Sequence, residues 1–443
     1  MLGRSTPFYG KWPVTSTSRS FGLVEYGPPV GLIGDLATHL GVSPADAEQQ
    51  LRKVGERLQA QHSLAANPIE INGNGVSAKR VAGTVAIGRD AELEIRPKFA
   101  APGDEWQEDL LFLALFTVYG HVDLIRTVSA ATTSQNTMAD LVGRILLGLI
   151  GQNSRRPLKT RRASTVLSWE PLSELDLEAM LNPEDDGWPQ RIYRMSVDNE
   201  WWATIHAGIQ ALLPHLRDPS INCGLSDLVA RWGRPQTRPS AFRKTLPPRL
   251  STWQPAYDLA FELTRGSSTA PSLGSFATFG FTLDTWRTWE ALLERALIMA
   301  VGANRVALQN GHSFGTAVKG AQSSTLDVFP DAVITDINGL LIIDAKYKGR
   351  HERGFEGISA QDRYEMLAYM HAVGTNRAML LYPSLVAATT DAAPEELEVS
   401  TIPLGTIRAV ALGIRGIGKQ AGLYKFIRSM AAAVDSPVVA AAI

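Results

Sequence analysis

Charged residues sit where a buried strand should carry aliphatics in LDVFPDAVITDINGLLIIDAKYKGR, the stretch from Leu326 to Arg350. Asp331 and Asp344 each adjoin a short apolar run, and Lys346 follows Asp344 after one alanine. Asn338-Gly339, between the runs, is a strong signal for a two-residue type I′ hairpin. With that pair as the turn, Ile337 faces Leu340, Thr335 faces Ile342, Val333 faces Asp344 and Asp331 faces Lys346. Side chains alternate faces along a strand, so Asp331, Asp344 and Lys346 should emerge together. The two carboxylates then lie on a diagonal, with Cα atoms about 7–8 Å apart. Hard oxygen ligands at that spacing suit Mg2+ or Mn2+ better than zinc. The Ala345 carbonyl is a natural further ligand. Lys346 beside the metal would help generate or orient hydroxide and balance charge on a pentacovalent phosphate. The implied chemistry is phosphodiester hydrolysis. The alternative is a surface ion pair between Asp331 and Lys346 with Asp344 solvated, worth little stability. Against it, LLIID reads as sheet interior, where ionised groups are costly unless paired or metal-bound.

Two helices must flank this hairpin. LDTWRTWEALLERALIMAV reads as a helix capped near Asp284, with Trp286, Glu290, Leu293 and Leu297 on one stripe. Glu290 is thus an acid in an apolar face: a boundary residue reaching solvent, or a further acid for the metal, with Glu294 the competing choice. Downstream, SAQDRYEMLAYMHAV opens with Ser359 and Asp362 at capping-box spacing. Gln361 and Glu365 share a helical face, and Tyr364, Leu367, Ala368 and His371 form the expected apolar stripe. His371 reads as a core-edge residue, not a ligand.

The chain of 443 residues is too long for one compact core. Residues 1–20 read as a disordered polar leader and 21–103 as a β-rich domain containing the helix VSPADAEQQLRKVGERLQAQ and the hairpin RVAGTVAIGRDAELEIRPKF. Residues 104–265 read as mainly helical, and 266–443 as a further α/β unit with a basic C-terminal helix, entered through the linker TRGSSTAPSLGS. A net charge of -1 gives no global pull toward nucleic acid or membranes, so any DNA surface must be local. Two stretches qualify, both without acids. One holds Arg155, Arg156 and Arg161, the other Arg234, Arg238, Arg243 and Lys244; Lys348 lies near the hairpin. They are either phosphate or partner contacts, or solvated loops facing acidic neighbours. The single cysteine, Cys223, excludes a disulfide framework and fits a reducing cytosol. Leu110–Val118 is too short to span a bilayer. No GxxxxGK[ST] loop is present, so nucleotide hydrolysis would have to come from another chain.

A helix-embedded Glu, a PD, then a DxK on the paired strand and a following helix resemble the PD-(D/E)xK nuclease superfamily. FTLDTWRTWEALLERAL, FPDAVI, LIIDAKYK, DRYEMLAYM and AMLLYP occur in the order and style of the McrC family, the nuclease subunit of McrBC-type restriction systems. VEYGPP, VAGTVAIGRDAELEIRPKF and MSVDNEWWATIHAGI are also similar to McrC segments. The resemblance implies a restriction-endonuclease-like core of mixed sheet and helices. It also implies DNA cleavage coupled to a partner AAA+ GTPase, which docks on the N-terminal part and is stimulated by it. Asp331, Asp344 and Lys346 would be the catalytic set, with Glu290 the helix acid. One departure stands out: the family's helix usually reads YQ, and this chain has Tyr364-Glu365, with Gln361 the candidate substitute. Two other functions compete with the nuclease subunit: a non-cleaving adaptor that activates an AAA+ motor, and a stand-alone repair nuclease.

Overall fold

The computed structural model describes residues 19–88, 91–100, 106–119, 138–172, 178, 181, 183–267, 281–320, 322–347, 350–351, 354–355, 357–384 and 389–436. Strand begins at Arg19, so the last two residues of the expected leader already belong to β1 (Arg19–Val24). α1 (Ile33–Leu40) and α2 (Pro44–His62) follow. α2 starts as its sequence predicts: the Ser43 hydroxyl accepts from the Asp46 N–H at 3.2 Å, and Pro44 occupies the first turn. β2 (Ile69–Asn72) and β3 (Gly75–Ala78) form a ribbon. β4 (Val81–Gly88) and β5 (Ala91–Arg96) form the expected antiparallel hairpin. Leu93 and Ile95 are buried from alternate positions of β5, against Leu51, Val54 and Leu58 of α2.

The middle of the chain holds α3 (Trp106–Tyr119), α4 (Met138–Gln152), α5 (Glu200–Leu212), α6 (Pro219–Trp232) and α7 (Gln254–Ser267) around a shared apolar core. The apolar run expected as a buried helix is α3, whose Leu110 to Phe116 are all buried. Between α4 and α5 lies a strand pair that helical periodicity missed, β6 (Thr160–Ser168) with β7 (Trp188–Ser196). Residues 264–267 of the expected linker complete α7, and 268–275 lie outside the described residues.

β8 (Phe281–Asp284) does not join the unit it precedes. It pairs antiparallel with β4, giving a four-stranded sheet of order β1-β5-β4-β8. Gly83 makes this possible: at φ 131, its backbone lies so close to β8 that a Cβ would stand 2.0 Å from the Phe281 carbonyl oxygen. From β8 the chain runs directly into α8 (Thr285–Val301), capped by the Asp284 carboxylate.

The remaining strands are β9 (Val306–Leu308), the ribbon β10 (His312–Lys319) with β11 (Gln322–Val328), β12 (Ala332–Asp336), β13 (Gly339–Ala345), and the short pair β14 (Arg350–His351) and β15 (Gly354–Phe355). After α9 (Ala360–Val373) come β16 (Arg377–Pro383), β17 (Glu395–Ile402), β18 (Gly405–Leu412) and α10 (Gly422–Asp435). Six strands make a mixed sheet of order β17-β18-β16-β13-β12-β9. β13, β16 and β18 run parallel, and β12 is antiparallel to β13. Ala332, Ile334, Leu341 and Ile343 face α8 and α10, while Val333 and Ile342 face α9. Burial on both faces explains why LLII is a continuous apolar run and not an alternating one.

Candidate active site

The hairpin register differs from the expected one. Asp336 pairs with Gly339, Thr335 with Leu340 and Val333 with Ile342, so the turn residues are Ile337 and Asn338. Neither has positive φ, whereas Gly339, which opens β13, has φ 103. The cause is Asp336, whose Oδ1 accepts from the Asn338 N–H at 2.7 Å and closes the turn one residue early. Ile337, at the tip, is 99% exposed. In this register Asp331, just before β12, continues toward Asp344, and Lys346 has no partner position on β12.

Asp331 is held from β13: its Oδ2 accepts from the Ala345 N–H at 2.7 Å, and its carbonyl accepts from Gln309 N–H at 3.0 Å. The Lys346 N–H continues the ladder by donating to Leu381 O at 2.9 Å. Asp344 and Lys346 are 4% and 7% exposed. The expected Asp331–Lys346 pair does not form. Lys346 Nζ lies 2.7 Å from Asp344 Oδ2, 2.7 Å from Glu365 Oε2 and 3.6 Å from Asp362 Oδ1. Glu365 Oε1 accepts from the Tyr369 hydroxyl at 3.1 Å. Glu365, where the family's amide was expected, is therefore the second close carboxylate of the lysine. Sequence reading missed Asp362 and Tyr369 at this site.

The apolar stripe expected on α9 is also rotated. Asp362, Met366, Tyr369 and Met370 are the buried residues, and Tyr364 is exposed. The packing of Met366 and Met370 on Val333 and Ile342 sets this face, which brings Asp362 and Glu365 to Lys346. Gln361 and His371 are exposed, the latter edge-on to Phe314 at 5.8 Å.

Electrostatics single out the acids. Burial, then the charges of Asp331 and Glu365, outweigh Lys346 and push Asp344 up to about 7. Burial also raises Asp331. Glu290, half-buried on α8, is pushed up to about 7 by burial and then by Asp331. Glu294 is raised by the same two causes, and its Oε1 is occupied by the Gln309 amide at 2.8 Å. Burial would lower Lys346, but Asp344 and Glu365 hold it above its ordinary value.

Among the described residues no three His, Cys, Asp or Glu side chains already converge as a metal cage. The donor set nonetheless fits a hard cation. Asp331, Asp344 and Glu290 offer only oxygen, and all three resist ionising without added positive charge. Asp344 Oδ2 is buried and receives no hydrogen bond of ordinary geometry despite the ammonium at 2.7 Å.

The expected DNA contacts lie on the middle elements. Arg155, Arg156, Arg161, Arg234 and Arg238 are exposed. Arg243 and Lys244 are not free for phosphate: Arg243 makes a two-pronged pair with Asp258 at 2.9 and 2.8 Å, and Lys244 binds Glu200 at 2.7 Å. Their acids come from α7 and α5, so a stretch without acids in sequence still faces acids in space. Lys348 lies outside the described residues.

Residues 195–383 match the family model described as McrBC 5-methylcytosine restriction system component. The match runs from the last residues of β7 to the end of β16 and contains Glu290, Asp331, Asp344, Lys346 and Glu365. No curated protein matches the chain. The fold is similar to that of a chain in the refined half-complex from the tetradecameric assembly of Thermococcus gammatolerans McrB AAA+ hexamers with bound McrC. The TM-score is 0.65 at 14% identity, over 93% of this chain and 99% of that one. A chain of the T. gammatolerans McrBC complex solved by cryo-EM aligns at 14% identity and TM-score 0.45, over 64% of this chain and 88% of that one. No described helix is long and apolar enough to cross a membrane.

Proposed function

We propose, for a chain whose residues 195–383 carry McrBC-family sequence, that the acidic cluster is the active site of a Mg2+-dependent DNA endonuclease, the cleaving subunit of an McrBC-like restriction system. The six-stranded sheet with α8 and α9 is then its PD-(D/E)xK core. It would work in the cytoplasm with a partner AAA+ GTPase that would supply nucleotide hydrolysis and that it would stimulate. One observation carries this reading: Lys346 is buried between Asp344 and Glu365 at the strand end where Asp331 is anchored, inside the family-matched segment. The fold similarity to a chain of a complex containing McrB hexamers and McrC supports the partner.

Asp331, Asp344 and Glu290 would hold Mg2+, with the Ala345 carbonyl beside them; Mn2+ has the same ligand preference. When bound, the cation would supply Lewis-acid stabilisation of the phosphodiester under attack. The protein's own part is positional. The Ala345 N–H fixes one oxygen of Asp331 and leaves the other for a ligand. Lys346, kept protonated by two carboxylates, is a fixed positive charge that can balance the charge developing on phosphate. Glu365 and Tyr369 keep the ammonium at that position.

The test is the full chain with its cognate AAA+ partner, GTP, Mg2+ and methylated or unmethylated plasmid. Wild type should cut; Asp344→Ala should abolish cutting while the complex still assembles on a sizing column. Cleavage by Asp344→Ala at the wild-type rate would refute the site. The close pairing of Lys346 favours one competing reading, a non-cleaving activator that keeps the ion cluster as scaffold. Stimulated GTP hydrolysis with no DNA product, across substrates and metals, would decide for it.

A further inference from the structure

One buried carboxylate joins the N-terminal sheet to both elements that carry the catalytic acids. Glu25 directly follows β1 and is 1% exposed. Its backbone N–H donates to Arg96 O at 2.8 Å, which ties it to the end of β5. Its Oε2 accepts from the Tyr347 hydroxyl at 2.7 Å and, at 3.4 Å, from the Lys98 N–H; its Oε1 accepts from the Thr285 hydroxyl. Tyr347 is the residue after Lys346, and Thr285 is the first residue of α8, the helix of Glu290.

The surroundings clamp the same point. Lys98 Nζ stands 3.9 Å from the centroid of the Tyr347 ring. The Thr285 N–H donates to Arg80 O at 3.1 Å, and Asp284 lies 3.6 Å from Arg80 Nη2. α8 therefore starts on the N-terminal sheet. Burying a carboxylate is unfavourable unless it is fully bonded, and an apolar contact would join two elements at lower cost. What a two-oxygen acceptor adds is a fixed distance between two donors.

We infer that Glu25 is a positioning residue for phosphodiester cleavage: by binding Tyr347 and Thr285 at once, it sets the spacing between the Asp344–Lys346 strand end and Glu290 on α8. It touches no substrate. This inference rests on the nuclease reading above. It assigns to a residue more than 300 positions upstream of the Asp-x-Lys strand a role in the geometry of the site.

The experiment uses the full chain with Glu25→Gln, Tyr347→Phe and Thr285→Val. Tyr347→Phe is the mildest, since it keeps the ring over Lys98 and deletes one hydroxyl. With partner and DNA saturating, cleavage should fall about 10–100-fold, the range for outer residues that orient metal ligands. The Mg2+ concentration for half-maximal rate should rise, and it should do so well below the variant's metal-free thermal midpoint, where the chain is folded at every Mg2+ concentration and simple destabilisation would leave the rate unchanged. Glu25→Gln combined with Tyr347→Phe should be no worse than the stronger single change, because both cut one link. Hydrogen exchange of the chain alone gives a reading independent of cleavage: Tyr347→Phe should speed exchange in 339–347 and in 285–301. Unchanged exchange in 285–301, or a wild-type rate and Mg2+ midpoint in Tyr347→Phe, would overturn the inference. A wild type that cuts no DNA would instead remove the nuclease reading and Glu25's catalytic role with it, while exchange would still decide whether Glu25 links the two elements.

Discussion

Replacing Asp344 by asparagine should stabilise the protein in EDTA near neutral pH while abolishing the DNA cleavage proposed for it. Asp344 is pushed up to about 7, chiefly by burial and then by Asp331 and Glu365 against the pull of Lys346. In the unfolded chain an aspartate titrates near ~3.9. Between these values the native state binds more protons than the unfolded state, so this residue's contribution falls as pH rises. Asparagine resembles the protonated acid at every pH. Each pH unit in the window is worth about 1.4 kcal/mol, so the variant's advantage should widen by about 2–3 kcal/mol between pH 5 and pH 7. Glu290, also at about 7, is present in both proteins and cancels. Urea unfolding followed by tryptophan fluorescence, in EDTA at pH 5, 7 and 8, measures the gap. Adding Mg2+ at pH 8 should raise the wild-type midpoint and leave the variant's unchanged. A variant less stable than wild type at pH 8 would refute the reasoning, since Asp344 and Lys346 would then be an ordinary stabilising pair.

Three further outcomes follow from the same geometry. Glu365→Gln introduces the amide that the resemblance implies and leaves Lys346 its ion pair with Asp344, so cleavage should stay at or above the wild-type rate; a large loss would make Glu365 an indispensable partner of Lys346. Gly83→Ala must force β8 from β4, since the new Cβ would meet Phe281 O at 2.0 Å at a φ that disfavours any side chain; a thermal midpoint unchanged from wild type would contradict the pairing. Arg377 grips Asp336 through two bonds of 2.8 and 2.9 Å and, with burial opposing, holds that carboxyl below its ordinary value. Arg377→Ala should cost about 2–3 kcal/mol at neutral pH. Asp336's contribution is full above ~4 and lost as pH falls through its lowered folded value, so the difference should close in acid.

Local chemistry was legible in the sequence, and long-range pairing was not. The Ser43-Pro44 start of α2 and the β4–β5 hairpin follow from neighbours within a few residues, and both form as expected. The McrC resemblance drawn from short motifs is borne out over residues 195–383. The β12–β13 turn went wrong because Asn-Gly competes with an Asp two residues earlier, and a side-chain hydrogen bond decided it. The slip kept each residue on its face but changed its partner. β8 was unreadable for a different reason: its pairing depends on Gly83, nearly two hundred residues away. The same holds for the acids facing Arg243 and Lys244, which arrive from other helices.

The six-stranded sheet contains its own control for what Asp344 and Lys346 are. At one end Arg377 meets Asp336, and the carboxyl is lowered, as in an ion pair that stabilises a fold. At the other end Lys346 meets Asp344 just as closely, yet that carboxyl is raised, and so are Asp331, Glu290 and Glu294. Burial and mutual repulsion among the acids outweigh one ammonium. A site selected only for stability would relieve this with a second base or with amides, as the family's glutamine would at position 365. Here the acids are kept together at the strand end, as oxygen donors that resist ionising, with Glu25 bonded behind them to Tyr347 and Thr285. A doubly charged cation is the species whose arrival would turn that repulsion into binding. The Asp344→Asn comparison, with and without Mg2+, measures that reversal directly.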